Sequence, residues 1–201
     1  MLACDNISYK DRFSGLGFCL VPGALLALYG TDATGVIMLL SGVLKPTSGT
    51  ILFEDVPIAR SKDYHSLSLH MPVTFNFHFW DKVENKVKQL ARKGGGAPEL
   101  AEAAMRYWGL ADMRHEKCSA LPLHLQKRVM LTQLLTHPRP VWLLDYPEQH
   151  LDDEGLNLLD TVIANRSNQD GIVVMSTQRQ GFMNHLPSIN MDDWKPLTIS
   201  S

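Results

Sequence analysis

The sequence predicts an α/β fold, with a mainly parallel sheet at its core and a helical segment inserted into it. Three observations predict this. Residues 24–29 (ALLALY), 141–144 and 171–176 are apolar runs of strand length, as strands covered on both faces would be. A glycine-bounded loop, 30–35, separates the first run from an apolar stretch of helical character, giving strand, loop, helix. Residues 73–137 lack such runs and have helical composition, which marks them as an insert in a single domain spanning 1–201.

The elements follow in order. Residues 2–9 read as a strand with weak alternation and 16–21 as a second, closed by the Pro22-Gly23 turn. After the 24–29 strand and its loop, a helix is expected from Val36 to Val43. Residues 46–49 (PTSG) form a turn into a strand at 50–53. In the insert, 81–92 is helical and Gly94-Gly95-Gly96 is a joint. Pro98 sits at the start of a helix whose stripe is Leu100, Ala104, Met105 and Trp108, with Gly109 at its stop. A further helix at 126–136 ends at Pro138. Asp152 and Asp153 cap a helix striped by Leu156, Leu159, Val162 and Ile163, and the tail from Gly181 is expected to be irregular.

Bulk composition narrows the function classes. The 201 residues are 45% hydrophobic and 20% charged, the globular range, and the net charge of -2 offers no basic field for nucleic acid. Cys4, Cys19 and Cys118 form no CxxC pair, which fits a reducing compartment. His115 and Cys118 stand three apart, but two ligands do not make a zinc site. No signal peptide is expected. The longest apolar stretches, 21–29 and 36–44, fall well short of the ~20 residues a membrane helix needs. Membrane association must then go through a partner protein.

The loop Gly30-Thr31-Asp32-Ala33-Thr34-Gly35-Val36-Ile37 has the two glycines of a phosphate-binding loop at the right separation. Leu39, Leu40, Ser41, Gly42, Leu44, Pro46, Ser48 and Gly49 follow. Residues 121–129 (LPLHLQKRV), 141–152 (VWLLDYPEQHLD) and 171–178 (GIVVMSTQ) come in the order and spacing of the signature, Walker B and H-loop segments. The chain therefore resembles the ATP-binding subunits of ABC transporters over residues 2–179. Phe13-Ser14-Gly15-Leu16, His70-Met71-Pro72, the Gln126-Lys127-Arg128-Val129 helix and the Gly171-Ile172-Val173 strand are most similar to the haem-exporter branch used in cytochrome c maturation. The resemblance implies an ABC-type P-loop core, ATP and Mg²⁺ as cofactors, and integral membrane subunits as partners. It also implies a dimer with itself or with a competent subunit, and a place on the cytoplasmic face of the inner membrane.

The residues at the family's working positions do not suit that chemistry. Val36 holds the Lys position and Ile37 the Ser/Thr position, so neither a charge nor a metal ligand remains. Asp32 places a negative charge in a loop meant for a triphosphate. Asp145 keeps the carboxylate that would hold Mg²⁺ through water, but the water-orienting Glu position carries Tyr146, a poor base at neutral pH. Met71 stands at the Q-loop position and Gln178 at the H-loop position. In the signature, Leu121-Pro122-Leu123-His124-Leu125-Gln126, Pro122 removes a donor, Leu123 blocks close backbone approach, and His124 is expected on an exposed loop. Tyr9 is a candidate for stacking on adenine or for half-buried packing in a strand.

Three functional readings follow. The first is a non-hydrolysing subunit that docks to a membrane partner. The second is a haem-exporter ATPase completed through a composite site with a normal subunit. The third is a reassigned domain with no nucleotide function. Docking has its own candidate segment. Val73, Phe75, Phe77 and Phe79 alternate with Thr74, Asn76 and His78, and Trp80 follows. In the resembled family this stretch flanks the groove that receives a helix of the membrane subunit. The same side chains could instead fill the core of the insert.

Overall fold

The computed structural model describes residues 1–97, 99–179 and 186–194. The chain divides into two compact units, one formed by residues 1–71, 139–146 and 166–201, the other by 72–138 and 147–165.

The first unit holds both sheets. β1 (Leu2–Tyr9) pairs antiparallel with β2 (Phe13–Leu20) and with β4 (Ser48–Phe53), and the hairpin strand β5 (Val56–Pro57) completes a sheet of order β2-β1-β4-β5. The second sheet is wholly parallel. It runs β6 (Ser68–Met71), β7 (Val141–Asp145), β8 (Ile172–Ser176), β3 (Leu25–Tyr29) and β9 (Ser188–Asn190). β7 and β8 are buried along their whole length, as their unbroken apolar sequences require. Helix α1 (Ala33–Leu40) packs on β7 and β8, and α2 (Tyr64–Leu67) leads into β6. Leu28, Val36, Ile37, Leu40, Leu143 and Val174 share one core cluster with the inner residues of β1 and β2.

The second unit is helical: α3 (Val83–Lys93), α4 (Leu100–Tyr107), α5 (Leu123–Leu131) and α6 (Gln133–Thr136), with most of α7 (Asp153–Asn168). α3 buries Val83, Val87, Leu90 and Ala91, a clean i, i+4, i+7, i+8 stripe. In α4's stripe Ala104, Met105 and Trp108 are buried, whereas Leu100 is exposed at the helix start. Pro98 lies outside the described residues.

Several expected boundaries move. α1 begins at Ala33, three residues earlier than expected and despite Gly35 in its first turn, because burial of Val36 and Ile37 in the core outweighs that weak helix former. Gly42 takes φ +75 and closes that helix. The 126–136 helix starts instead at Leu123 and is interrupted at Thr132, whose hydroxyl donates to the Val129 carbonyl. The tail is not wholly irregular. β9 adds a parallel edge strand, and a 3₁₀ turn, Met191–Trp194, follows it; the tail's remaining positions, 181–185 and 195–201, lie outside the described residues. β5, α2 and β6 carry too few periodic residues to be legible beforehand.

Candidate functional site

In the first unit, β3, β6, β7 and β8 end side by side, at the edge where parallel α/β sheets bind ligands. The register places Leu28 and Asp145 opposite Ser176, and Met71 opposite Leu144. This brings Gly30 to Ile37, Met71, Asp145, Tyr146 and Gln178 onto a single unit. The signature positions 121–126 belong to the other unit.

The loop is shorter than its sequence suggests. Gly30 accepts from the Ala33 N–H at 3.4 Å, and Asp32 accepts from the Val36 N–H at 3.1 Å. Ala33, Thr34 and Gly35 are thereby wound into the first turn of α1. A phosphate-binding loop needs those amides turned inward to a ligand; here the Ala33 and Val36 amides serve the helix. Val36 and Ile37 are 1% and 0% exposed and belong to the core beneath the helix. Asp32 is buried and forms an ion pair with the Arg12 guanidinium. That pairing corrects the expectation of an uncompensated negative charge in the loop.

Asp145 is also engaged. Its Oδ1 accepts from the Thr34 hydroxyl at 2.8 Å and from the Ser176 hydroxyl at 2.6 Å, and the residue is buried. Tyr146 follows it at φ 43, a left-handed conformation costly for a bulky side chain, stabilised by its N–H donating to Ser176 Oγ at 2.9 Å. Met71 is buried at the end of β6 and offers neither donor nor charge.

His70, beside it, has its pKa lowered by burial, with the Asp145 carboxylate pulling it back up. The folded value therefore lies below the unfolded value of about 6.5. The sign follows: the unfolded chain binds the extra proton first, so stability is fully present above pH ~6.5 and is lost as pH falls towards the folded value. Urea unfolding of the native chain should show a shallower midpoint at pH 5.5 than at 7.5, and His70→Gln should reduce that difference. An identical pH difference in the variant would remove His70 from the account.

What fills the loop's mouth comes from the tail. Asp192 Oδ1 accepts from the Thr31 N–H at 3.3 Å and from the Thr31 hydroxyl at 2.7 Å. Gly30 takes φ +94, and a Cβ there would lie 2.9 Å from Asn190 Oδ1 and 3.0 Å from Asp192 Oδ2. Thr31, Tyr146, Thr177, Gln178, Asn190 and Asp192 help line a cleft of about 420 Å³. Gln178 is exposed in it. Sequence reading missed Asp192 and Arg12 altogether, because their partners in the loop are 161 and 20 residues away. Tyr9 stands half-buried in β1 with its ring centroid 6.3 Å from that of Phe13 and the Lys10 ammonium 5.2 Å from its own.

In the second unit, Leu121 and Pro122 precede α5 in extended conformation, and Pro122 accepts from the Leu125 and Gln126 N–H groups, both at 3.0 Å. Leu123 is exposed at the first helical position. His124 lies in the first turn, not on a loop, 3.9 Å from Asp152 Oδ2. Gln126 Nε2 donates back to the Leu121 carbonyl at 2.8 Å. Arg128 is buried and donates to Asp152 at 2.7 Å, Glu154 at 2.8 Å and the Trp108 carbonyl at 3.3 Å. Asp152 Oδ1 also accepts from the Gly155 N–H, as an N-cap does. The basic helix is therefore a packing element tied to the start of α7. Of the 73–80 segment, Val73, Phe75 and Phe77 are half-buried, while Phe79 and Trp80 are 71% and 69% exposed.

A sequence model of the ABC transporter family matches residues 13–149. The chain belongs to that family. It is 30% identical over 194 residues to the cytochrome c biogenesis ATP-binding export protein CcmA of Rickettsia bellii, covering 91% of this chain and 92% of that one. It is 31% identical over 190 residues to ABC transporter I family member 1 of Arabidopsis thaliana, covering 87% and 75%. Among solved structures, an ABC transporter ATP-binding protein from Pyrococcus furiosus superposes with a TM-score of 0.85 at 19% identity, over 97% of this chain and 99% of that one. An ATP-binding cassette dimer with ADP and phosphate bound gives 0.77 at 17% identity, covering 94% of each. The fold is that of the ABC ATPases, and the chain is an ABC transporter ATP-binding subunit similar to CcmA.

ATP and Mg²⁺ are the cofactors expected of that family. The Ala33 and Val36 amides are used within the loop and α1, and Val36 is buried in the core. The mouth of the loop holds a carboxylate, and Asp145 Oδ1 is shared by two hydroxyls. Among the described residues no group of three or more His, Cys, Asp or Glu is placed to hold a metal ion, and no helix is long and apolar enough to cross a membrane.

Proposed function

We propose that the chain is a non-hydrolysing ABC-type subunit of a haem-exporting complex in cytochrome c biogenesis. In this reading it binds integral membrane subunits at the cytoplasmic face of the inner membrane, as a dimer with itself or beside a competent subunit. The haem-export assignment rests on the similarity to the CcmA relatives. The pseudo-ATPase assignment rests on one observation above the others. α1 starts at Ala33 and buries Val36, while the Asp192 carboxylate accepts both donors of Thr31 where phosphate oxygens would need them. A triphosphate would have to displace a like charge and gain no lysine in return, so the main electrostatic grip on the transferred group is missing.

The test is calorimetric titration of the purified chain with Mg-ATP, paired with a radioactive hydrolysis assay alone and with candidate partner subunits. No binding in the low-micromolar range and no turnover by the chain alone are expected. Each tenfold loss of affinity is about 1.4 kcal/mol, and losing Lys and the metal ligand together should exceed that several times. A low-micromolar dissociation constant would overturn the pseudo-ATPase reading. Turnover appearing only with a competent subunit, and lost on Asp145→Asn in this chain, would establish the composite site instead.

A further inference from the structure

A second cavity, of about 530 Å³, lies in the first unit away from the loop. It falls within the ~300–1,000 Å³ of small-molecule sites. Its apolar lining includes Leu44 after α1 and Ile58 after β5, both half-buried, backed by the buried Leu39 of α1 and Ile51 of β4. Tyr64 also lines the cavity; it is buried, and its hydroxyl is committed to the Leu40 carbonyl at 2.8 Å. Gly42 lets the rim close. Its φ is +75, and a Cβ there would lie 3.1 Å from His65 Cε1.

The charged lining has a single sign. Lys45, Arg60 and His65 line the cavity, and no Asp or Glu does among the described residues. Neither Lys45 nor Arg60 makes an ion pair among the described residues. A pocket whose lining combines apolar side chains with cations and no carboxylate is complementary to a molecule with an apolar body and one anionic end.

We propose that this cavity binds a free single-chain carboxylate amphiphile, its chain against Leu44 and Ile58 and its carboxylate between Lys45 and Arg60. The site is independent of the pseudo-ATPase reading and stands or falls separately from it. The probe is laurate, titrated below its micelle concentration into the full chain by calorimetry. Dodecanol serves as the uncharged control and dodecyltrimethylammonium as the cationic one. Laurate should bind at least tenfold tighter than either. Lys45→Glu/Arg60→Glu should weaken laurate at least tenfold with an unchanged thermal melt, and Lys45→Gln/Arg60→Gln should fall between. Because the comparison of head groups uses the unaltered chain, it decides the matter even if a charge-reversed variant fails to fold. Equal binding of laurate and dodecanol would overturn the proposal, as would undiminished laurate binding by the glutamine variant. Sedimentation of the chain with phosphatidylglycerol vesicles that laurate does not relieve would overturn it in favour of a lipid surface.

Discussion

Val36→Lys, the substitution that restores the family's lysine, is expected to destabilise the chain by about 4–5 kcal/mol and to yield no ATP turnover. Val36 is buried on the face of α1 that packs against β7 and β8. A lysine there must lose its proton, extend to solvent past the Asp32 turn, or unwind the first turn of the helix. Neutralising it at pH 7 from its ordinary value near 10.4 costs about 4.6 kcal/mol, and the transfer energy of the valine is lost as well. That is a large share of the ~5–15 kcal/mol that holds a domain together. Unwinding instead would break the Val36-to-Asp32 hydrogen bond and expose Ile37.

Turnover should stay absent for a separate reason. On the proposed reading, Tyr146, Met71 and Gln178 would still leave water unoriented, and Asp192 would still occupy the donors of Thr31. The measurements are the urea midpoint and multiple-turnover hydrolysis with Mg-ATP. A variant as stable as the parent whose melting temperature rises with Mg-ATP would show that the loop is still a nucleotide cradle, and would sink the account of α1 given above.

The sequence made the sheet legible and hid the state of the loop. β3, β7 and β8 are uninterrupted apolar runs, and no other reading satisfies burial on both faces. Val36, Ile37, Tyr146, Met71 and Gln178 are singled out through the resemblance to ABC ATP-binding subunits, not by composition or periodicity. Where α1 begins is not legible in the sequence. Ala33 and Thr34 suit either a loop or a first helical turn, and the choice is made by packing of Val36 and Ile37 into the core. The Asp192 contact was beyond reach, since β9 is three residues long and has no periodicity to betray it. Asp32 looked like a repulsive charge until Arg12 stood beside it. Local pattern carries information about burial, but ion pairs and capping contacts at long separation are tertiary facts.

Changing both Phe79 and Trp80 to Ser should abolish recruitment by the membrane partner while the melting temperature moves by less than about 2 °C. The alternation from Val73 to Trp80 left core filling and docking equally open. The segment differs along its length in exposure. Phe75 and Phe77 are half-buried with ring centroids 5.6 Å apart, and the Lys127 and Lys86 ammonium groups lie 5.9 and 5.7 Å from them. Those two rings pack within the unit, and truncating either should cost about 1–2 kcal/mol, less than the ~3–5 kcal/mol of a fully buried ring. Phe79 and Trp80 are different. They are exposed, with Lys117 4.0 Å from the Phe79 ring centre and His78 stacked on Trp80 at 5.1 Å. Exposed aromatics braced by neighbouring side chains have little to contribute to folding, and rigid aromatic anchors supply much of the energy of protein interfaces. Serine at both sites removes the anchors without opening a cavity, so stability and recruitment should separate. Co-purification of the tagged chain with its membrane fraction, read beside a thermal melt, measures both. Retained co-purification by a folded double variant would remove these two residues from the docking surface. A large fall in melting temperature would return them to the core of the helical unit.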